Sequence, residues 1–283
     1  MASAKDLSAV VRSMKALAAS SITQYEQSVE ALTDYYRTVE LALSVCLRER
    51  PASTLLATTA TPATRAAIVF GSDQGLVGRF NEVLMEYTAH TLASLPGKPH
   101  TIWTVGERMQ ALATDAGLPL PVNFPVPIAI QGITPLVGAI LIAIEAELKH
   151  DKNCEIYLFH NQPLAAAGYQ PVSKRLLPLD ATWERDLVRL PWPDRRSPEV
   201  IGDAAAALAA FIRGYLFVLV FQACAQSLAS ENASRLAAMQ RAEDNIAQLS
   251  SDLTRKYHRL RQESIDEELR EVISGYEALS PGT

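Results

Sequence analysis

The sequence predicts an α/β fold: a central α/β domain with a mostly parallel sheet, set between two long terminal helices that pair as an antiparallel coiled coil. Three observations carry this. Neither glycine nor proline occurs before Pro51. From Pro51 to Pro198 short apolar runs alternate with helically spaced stretches, separated by turn residues. After Pro198 no proline recurs before Leu279, and Gly202, Gly214 and Gly275 are the only glycines of that stretch. The implied domains are 1–50, an N-terminal coiled-coil helix; 51–197, the α/β domain; and 198–283, a C-terminal coiled-coil helix.

In the first part, Leu7, Val11, Met14, Ala18, Ile22, Tyr25, Val29, Leu32, Tyr36, Val39 and Leu43 recur in steps of three and four. That spacing is the apolar stripe of one helix face, with Lys15, Glu26, Glu30, Asp34 and Arg37 on the others. One helix over Ala4–Arg48 would be roughly 65 Å long.

In the middle part, Arg65–Phe70, His100–Val105 and Glu155–His160 read as buried strands, with weaker candidates at Val122–Val126 and Gln170–Leu177. Helical spacing fills Gly78–Leu95, Gly106–Ala116 and Thr134–Leu148 between them, the alternation of an α/β layer. Thr182–Ser197, with Trp183, Pro191, Trp192, Pro193 and paired arginines, reads as an irregular connection.

The last part has a helix-start pattern, with Ser197 as N-cap, Pro198 at the first helical position and Glu199 favourable to the dipole. Leu236, Met239, Ala242, Ile246, Leu249, Leu253, Tyr257 and Leu260 form one stripe, resumed by Ile265, Leu269, Val272, Tyr276 and Leu279. A helix over Asp203–Leu279 would extend roughly 115 Å, against ~40 to 50 Å for a globule of this mass, so it is expected to project. The two ends hide their stripes against each other. The shorter one cannot cover the longer, so part of the C-terminal stripe needs another partner.

Composition narrows the function. The 283 residues are 48% hydrophobic, enough for a sizeable core. A net charge of -5 argues against general attraction to nucleic acid or anionic membranes; a basic patch would have to be local. Cys46, Cys154 and Cys224 are odd in number and form no CxxC pair, which argues against a disulfide framework or zinc site and for a reducing cytosol. The first twelve residues lack the apolar run of a signal peptide. Pro135–Ile144 and Gly214–Phe221 fall short of the ~20 residues of a membrane span, so any work at a membrane is expected from outside the lipid.

Motifs for chemistry are weak. Gly71-Ser-Asp-Gln-Gly-Leu-Val-Gly78 follows a strand and opens a helix, where a glycine turn could cradle phosphate. Its spacing is not GxGxxG, and the competing reading is a tight turn that lets helix and sheet approach. His90, His100, His150, His160 and His258 lack metal-ligand spacing, and neither Ser72-Asp73 nor Ser230-Glu231 has a partner base at a known spacing. No cofactor or metal is expected. Arg255, Lys256, Arg259 and Arg261 precede Glu263, Asp266, Glu267, Glu268 and Glu271, a charge-segregated tip suited to a protein partner rather than nucleic acid.

The run Ser230-Glu-Asn-Ala-Ser-Arg-Leu-Ala-Ala-Met239, continued by Leu253–Tyr257 and by Arg261-Gln-Glu-Ser-Ile-Asp-Glu-Glu-Leu-Arg-Glu-Val-Ile-Ser-Gly275, closely resembles the gamma subunit of F-type rotary ATP synthases. Ser13–Ser20 and Phe70–Asn81 look like that family's N-terminal signature and central-domain turn, so three motifs in the family's order span the chain. The resemblance implies a Rossmann-like central domain without nucleotide, and a coiled coil acting as a rotor shaft, non-catalytic, inside a ring of alternating alpha and beta subunits. The globular part and lower shaft would sit on the membrane c-ring with the epsilon subunit. Membrane association, through partners alone, would be peripheral on the cytoplasmic face of a prokaryotic membrane. Met14 falls at the family's shaft methionine; Arg235, Arg261, Gln262, Asp266, Glu268 and Glu271 fall where relatives contact the surrounding beta subunits.

Asp266 stands where many relatives carry Thr. Gln74, Val77 and Arg79 replace commoner Arg, Cys and Gly, and the N-terminus is shorter by roughly a helix segment. These departures and the wording of Ser13–Ser20 resemble the alternative, sometimes sodium-linked, rotary ATPases. Two rival readings are a nucleotide-binding α/β enzyme whose helices serve dimerisation, and a coiled-coil scaffold unrelated to rotation.

Overall fold

The computed structural model describes residues 2–48, 64–95, 101–118, 121–164, 168–194 and 198–279. Helices α1 (Ala2–Ala31) and α2 (Thr33–Arg48) are followed by β1 (Arg65–Phe70), α3 (Phe80–Ser94), β2 (Thr101–Val105), α4 (Glu107–Asp115) and β3 (Pro121–Phe124). A 3-10 turn, Ile130–Gly132, leads to α5 (Ile133–His150), β4 (Glu155–Pro163), β5 (Tyr169–Leu177), α6 (Ala181–Val188) and α7 (Ala204–Leu279). Residues group into two compact units, Met1–Ala16 with Ala237–Thr283, and Leu17–Leu236.

In the larger unit the strand order is β3-β2-β1-β4-β5. The first three pairings are parallel and β5 closes the edge antiparallel to β4. Alternating residues feed opposite faces. Ala66, Ile68 and Phe70 of β1 join Ile140 and Ile144 of α5, Leu43 of α2 and Leu216 and Val220 of α7 in one core. Ala67 and Val69 join Leu84 of α3 and Met109 of α4 in the other. The sheet is thus covered on both sides, which is why β1 is a continuous buried run rather than an alternating one.

Both weak strand candidates are strands, β3 and β5. Three expectations are corrected. The N-terminal helix is interrupted at Leu32, whose N–H bonds the Val29 carbonyl three residues back at 3.2 Å. The ladder restarts at Thr33-Asp34, residue types that favour helix starts, with Asp34 in the first turn. The stretch expected to be irregular contains α6, capped by Asp180 Oδ1, which accepts from the Thr182 N–H at 2.8 Å. The C-terminal helix begins after Asp203, not at Pro198. Gly202 turns the chain at φ 91°, and Asp203 Oδ1 accepts the Ala205 N–H at 2.9 Å; Ser197, expected as N-cap, lies outside the described residues.

By length and composition α5 and α7 are long and apolar enough to cross a membrane, more than the short greasy runs indicated. Ile133, Val137, Ile140 and Ile144 of α5 and Tyr215, Leu219 and Val220 of α7 instead bury their apolar faces against the sheet.

Candidate functional site

In an open α/β sheet, ligands bind outside the carboxyl ends of the strands where the strand order reverses, here between β1 and β4. That crevice is filled by α7. Ser227, Ser230 and Ser234 share one face at helical spacing. Ser230 Oγ donates to the Asn161 carbonyl at 3.0 Å, Ser227 Oγ reaches the Phe70 carbonyl at 3.4 Å, and Ser234 Oγ donates to the Val77 carbonyl. Asn161 Nδ2 in turn donates to the Phe80 carbonyl at 3.0 Å. All three hydroxyls are buried and partnered, so the arrangement fastens α7 to the strand ends and leaves no activated nucleophile.

The glycine turn is built the same way. Asn81 Oδ1 accepts the Ser72 N–H at 3.0 Å and Asn81 Nδ2 donates to Ser72 Oγ at 2.8 Å. A Cβ on Gly71 would stand 2.4 Å from Met109 Cβ, so this glycine lets α4 approach the sheet. The anion at the N-terminus of α4 is Asp73: its Oδ1 accepts the Glu107 N–H at 3.0 Å and its Oδ2 the Val126 N–H at 3.1 Å. The glycine turn thus places the chain's own carboxylate at the N-terminus of α4, and its close approach to Met109 and Asn81 fits the reading of a tight packing turn.

Arg235 lies in this unit beside the fastened face. Its Nη2 donates to Glu231 Oε1 at 2.6 Å and its Nη1 to Asn232 Oδ1 at 3.3 Å, with side chains 15% and 7% exposed for Arg235 and Glu231. Burial pushes the Glu231 carboxyl up, against the pull of Arg235. In the same unit, α2 and the first turns of α7 meet where Gly214 faces Val39 and Tyr35, while Tyr25 of α1 sits with Ala225 and Ala229 further along α7. As α1–α2 advance, α7 retreats, which makes the packing antiparallel.

The smaller unit pairs α1 with α7 in the same sense. Arg12 Nε stands 3.2 Å from Glu243 Oε1, and Lys15 Nζ lies 3.0 Å from Glu243 Oε2 and donates to Gln240. Lys15, then Arg12, hold the Glu243 carboxyl below its usual range. Val11 and Met239 are its buried side chains among the described residues, and Met14 is half-buried. From Arg255 to Tyr276 every residue is exposed, including Tyr257, Leu260, Ile265, Leu269 and Val272. Arg261, Gln262, Asp266, Glu268 and Glu271 all lie on this exposed segment. The structure therefore groups five of the seven expected contact residues, sets Met14 on the paired helix, and places Arg235 in the other unit. Sequence reasoning weighed Ser230-Glu231 only as a nucleophile candidate, not as a fastener and the partner of Arg235, and missed the serine row, whose signal was the spacing of small hydroxyls at 227, 230 and 234.

A family model described as ATP synthase matches residues 1–279. The ATP synthase gamma chain of Frankia casuarinae is 28% identical over 284 residues, covering 97% of this chain and 93% of that one. The gamma chain of Brevibacillus brevis is 26% identical, covering 98% and 95%. Among solved structures, the central stalk and c-ring of the Tetrahymena thermophila mitochondrial ATP synthase matches with a TM-score of 0.57 at 18% identity, over 82% of this chain and 99% of that one. The Euglena gracilis mitochondrial ATP synthase in rotational state 3 matches with 0.55 at 17%, over 94% and 98%. A fold shared with stalk chains, relatives aligned nearly end to end and the full-length family match lead to one conclusion: the chain belongs to the ATP synthase family, among the gamma subunits of the F type.

Proposed function

We propose that this chain is the central-stalk rotor of an F-type ATP synthase, a non-catalytic subunit that transmits torque between an ion-driven c-ring and a catalytic hexamer of alpha and beta subunits. The observation that carries this reading is the exposed α7 segment from Arg255 to Tyr276, which interleaves large apolar with charged side chains. Exposed apolar surface of that extent marks an interaction site, and a surrounding ring of subunits would bury it. Met14, Arg235, Arg261, Gln262, Asp266, Glu268 and Glu271 are the proposed contacts. The charged members, Arg235, Arg261, Asp266, Glu268 and Glu271, would meet successive beta subunits differently as the helix turns, which is the differential contact energy that coupling requires.

In this reading 1–50 and 198–283 form the shaft and 51–197 the globular foot, held by the c-ring and the epsilon subunit. The complex would stand peripherally on the cytoplasmic face of a prokaryotic membrane, bound through those partners. Arg261→Ala with Gln262→Ala tests the contacts: ATP hydrolysis by the assembled complex is expected to fall while the isolated chain keeps its helical circular dichroism. Unchanged turnover in a fully assembled complex would remove both residues from the contact set.

A further inference from the structure

A hollow of about 510 Å³ opens between α5, the end of β5 and the first turns of α7, within the larger unit. That volume lies in the ~300–1,000 Å³ range of small-molecule sites. Its wall is apolar, supplied by Ile144 and Leu148 of α5, Leu177 and Leu179 at the end of β5, and Ile212 and Leu216 of α7. Its rim is charged, with Lys152, Arg175 and Arg213 facing Glu145 and Glu155.

The rim charges do not cancel. Arg213 is engaged by Glu145 at 2.9 Å. Glu155 is held from the interior by buried Arg65, Nε to Oε2 at 2.8 Å, so Arg175 reaches its other oxygen only at 3.9 Å. Lys152 forms no ion pair among the described residues and is exposed. With both rim carboxylates engaged by Arg213 and Arg65, Lys152 is left without an ion pair among the described residues, and Arg175 is held only loosely by Glu155 and by the charge of nearby Asp180, at the mouth of an apolar hollow.

We propose that this hollow binds a long-chain fatty acid, the acyl chain lying along the α5–α7 wall and the carboxylate resting between Lys152 and Arg175. Every methylene that enters covers wall otherwise left to water, and a single anionic head answers unpaired Lys152 and draws on the loosely held Arg175 beside it. One hollow with one charged mouth fits one chain and one head. The site is independent of the rotor reading, because it lies wholly within the larger unit and uses none of the proposed contact residues.

The test titrates the purified full-length chain with cis-parinaric acid, a fluorescent fatty acid, and displaces it with palmitate or with uncharged hexadecanol. Saturable binding of one molecule per chain is expected, with palmitate displacing at least tenfold better than hexadecanol. Lys152→Glu combined with Arg175→Glu should weaken palmitate at least tenfold and leave hexadecanol unchanged. Leu148→Trp, which fills the hollow and leaves the rim intact, should weaken both and decides the matter if the charge-reversed variant does not fold. Absence of saturable binding, equal displacement by acid and alcohol, or undiminished binding in the folded variants would overturn the proposal.

Discussion

Replacing Arg235 by alanine separates two roles for this residue. In the structure its guanidinium is committed inward, 2.6 Å from Glu231 Oε1, and Glu231 is 7% exposed. Removing one partner of a buried pair leaves an uncompensated charge and costs roughly 3–5 kcal/mol. Because Arg235 keeps 15% exposure and Asn232 remains beside the site, the lower end, about 3 kcal/mol, is expected at pH 7. Burial already raises the Glu231 carboxyl in the folded chain. An acid with a raised folded-state pKa is favoured protonated, so the deficit of Arg235→Ala should shrink as pH falls through that raised value, and be smaller at pH 5 than at pH 7. Trp103, Trp183 and Trp192 all lie in the larger unit, so urea unfolding followed by tryptophan fluorescence reports on it directly. Adding Glu231→Ala should recover most of the loss, as a double-mutant cycle requires for coupled partners. A loss below about 1 kcal/mol at pH 7, or a deficit that does not shrink on acidification, would refute the inward role and leave Arg235 as an outward contact only.

Three further outcomes follow from the same structure. Gly106 has φ 106°, and a Cβ there would stand 2.6 Å from the Ser72 carbonyl oxygen; Gly106→Ala should destabilise the larger unit by about 3 kcal/mol in urea unfolding. His160 is buried, with Nε2 2.8 Å from Gln226 Oε1 and Nδ1 without a hydrogen-bond partner among the described residues; burial, with the Lys174 charge adding, keeps its pKa down to about 4. An imidazole held neutral when folded but protonated near pH 6.5 when unfolded loses stability as pH falls, about 2 kcal/mol by pH 5. His160→Leu should remove that increment from the pH dependence of the unfolding free energy. Leu76, at φ 63°, is an exposed non-glycine residue in the left-handed region, so Leu76→Gly should relieve strain and leave stability unchanged or raised by up to about 1 kcal/mol in the same unfolding experiment.

Much of the fold was legible because backbone restrictions leave marks that tertiary context does not erase. The glycine- and proline-free first fifty residues and the continuous apolar run of β1 each admit few alternatives. The break at Leu32 was not legible, since the apolar stripe continues across it through Val29, Leu32, Tyr36 and Val39. Helix α6 was hidden by the prolines and tryptophans around it, although Asp180 followed by Ala-Thr-Trp-Glu carried a capping signal. The long helix read over Asp203–Leu279 matches α7, which starts at Ala204, whereas the entry pattern Ser197-Pro198-Glu199 looked like a helix start because it carries stronger local signals than Gly202-Asp203. Of the candidate site, the exposed charges at 261–271 could be read from spacing and resemblance. The serine row could not be assigned, because its partners are carbonyls at the ends of β1, β4 and the glycine turn, which only the folded sheet brings together.

The filled crevice also has a mechanical side. Three hydroxyls at successive turns tie one face of a helix to three separate peptide carbonyls, and each tie has a direction that apolar contact lacks. Spinning that helix about its own axis would have to break them nearly at once, whereas a greasy interface could slip one side chain at a time. The sheet's strand ends thereby serve as a keyway, and the crevice becomes grip.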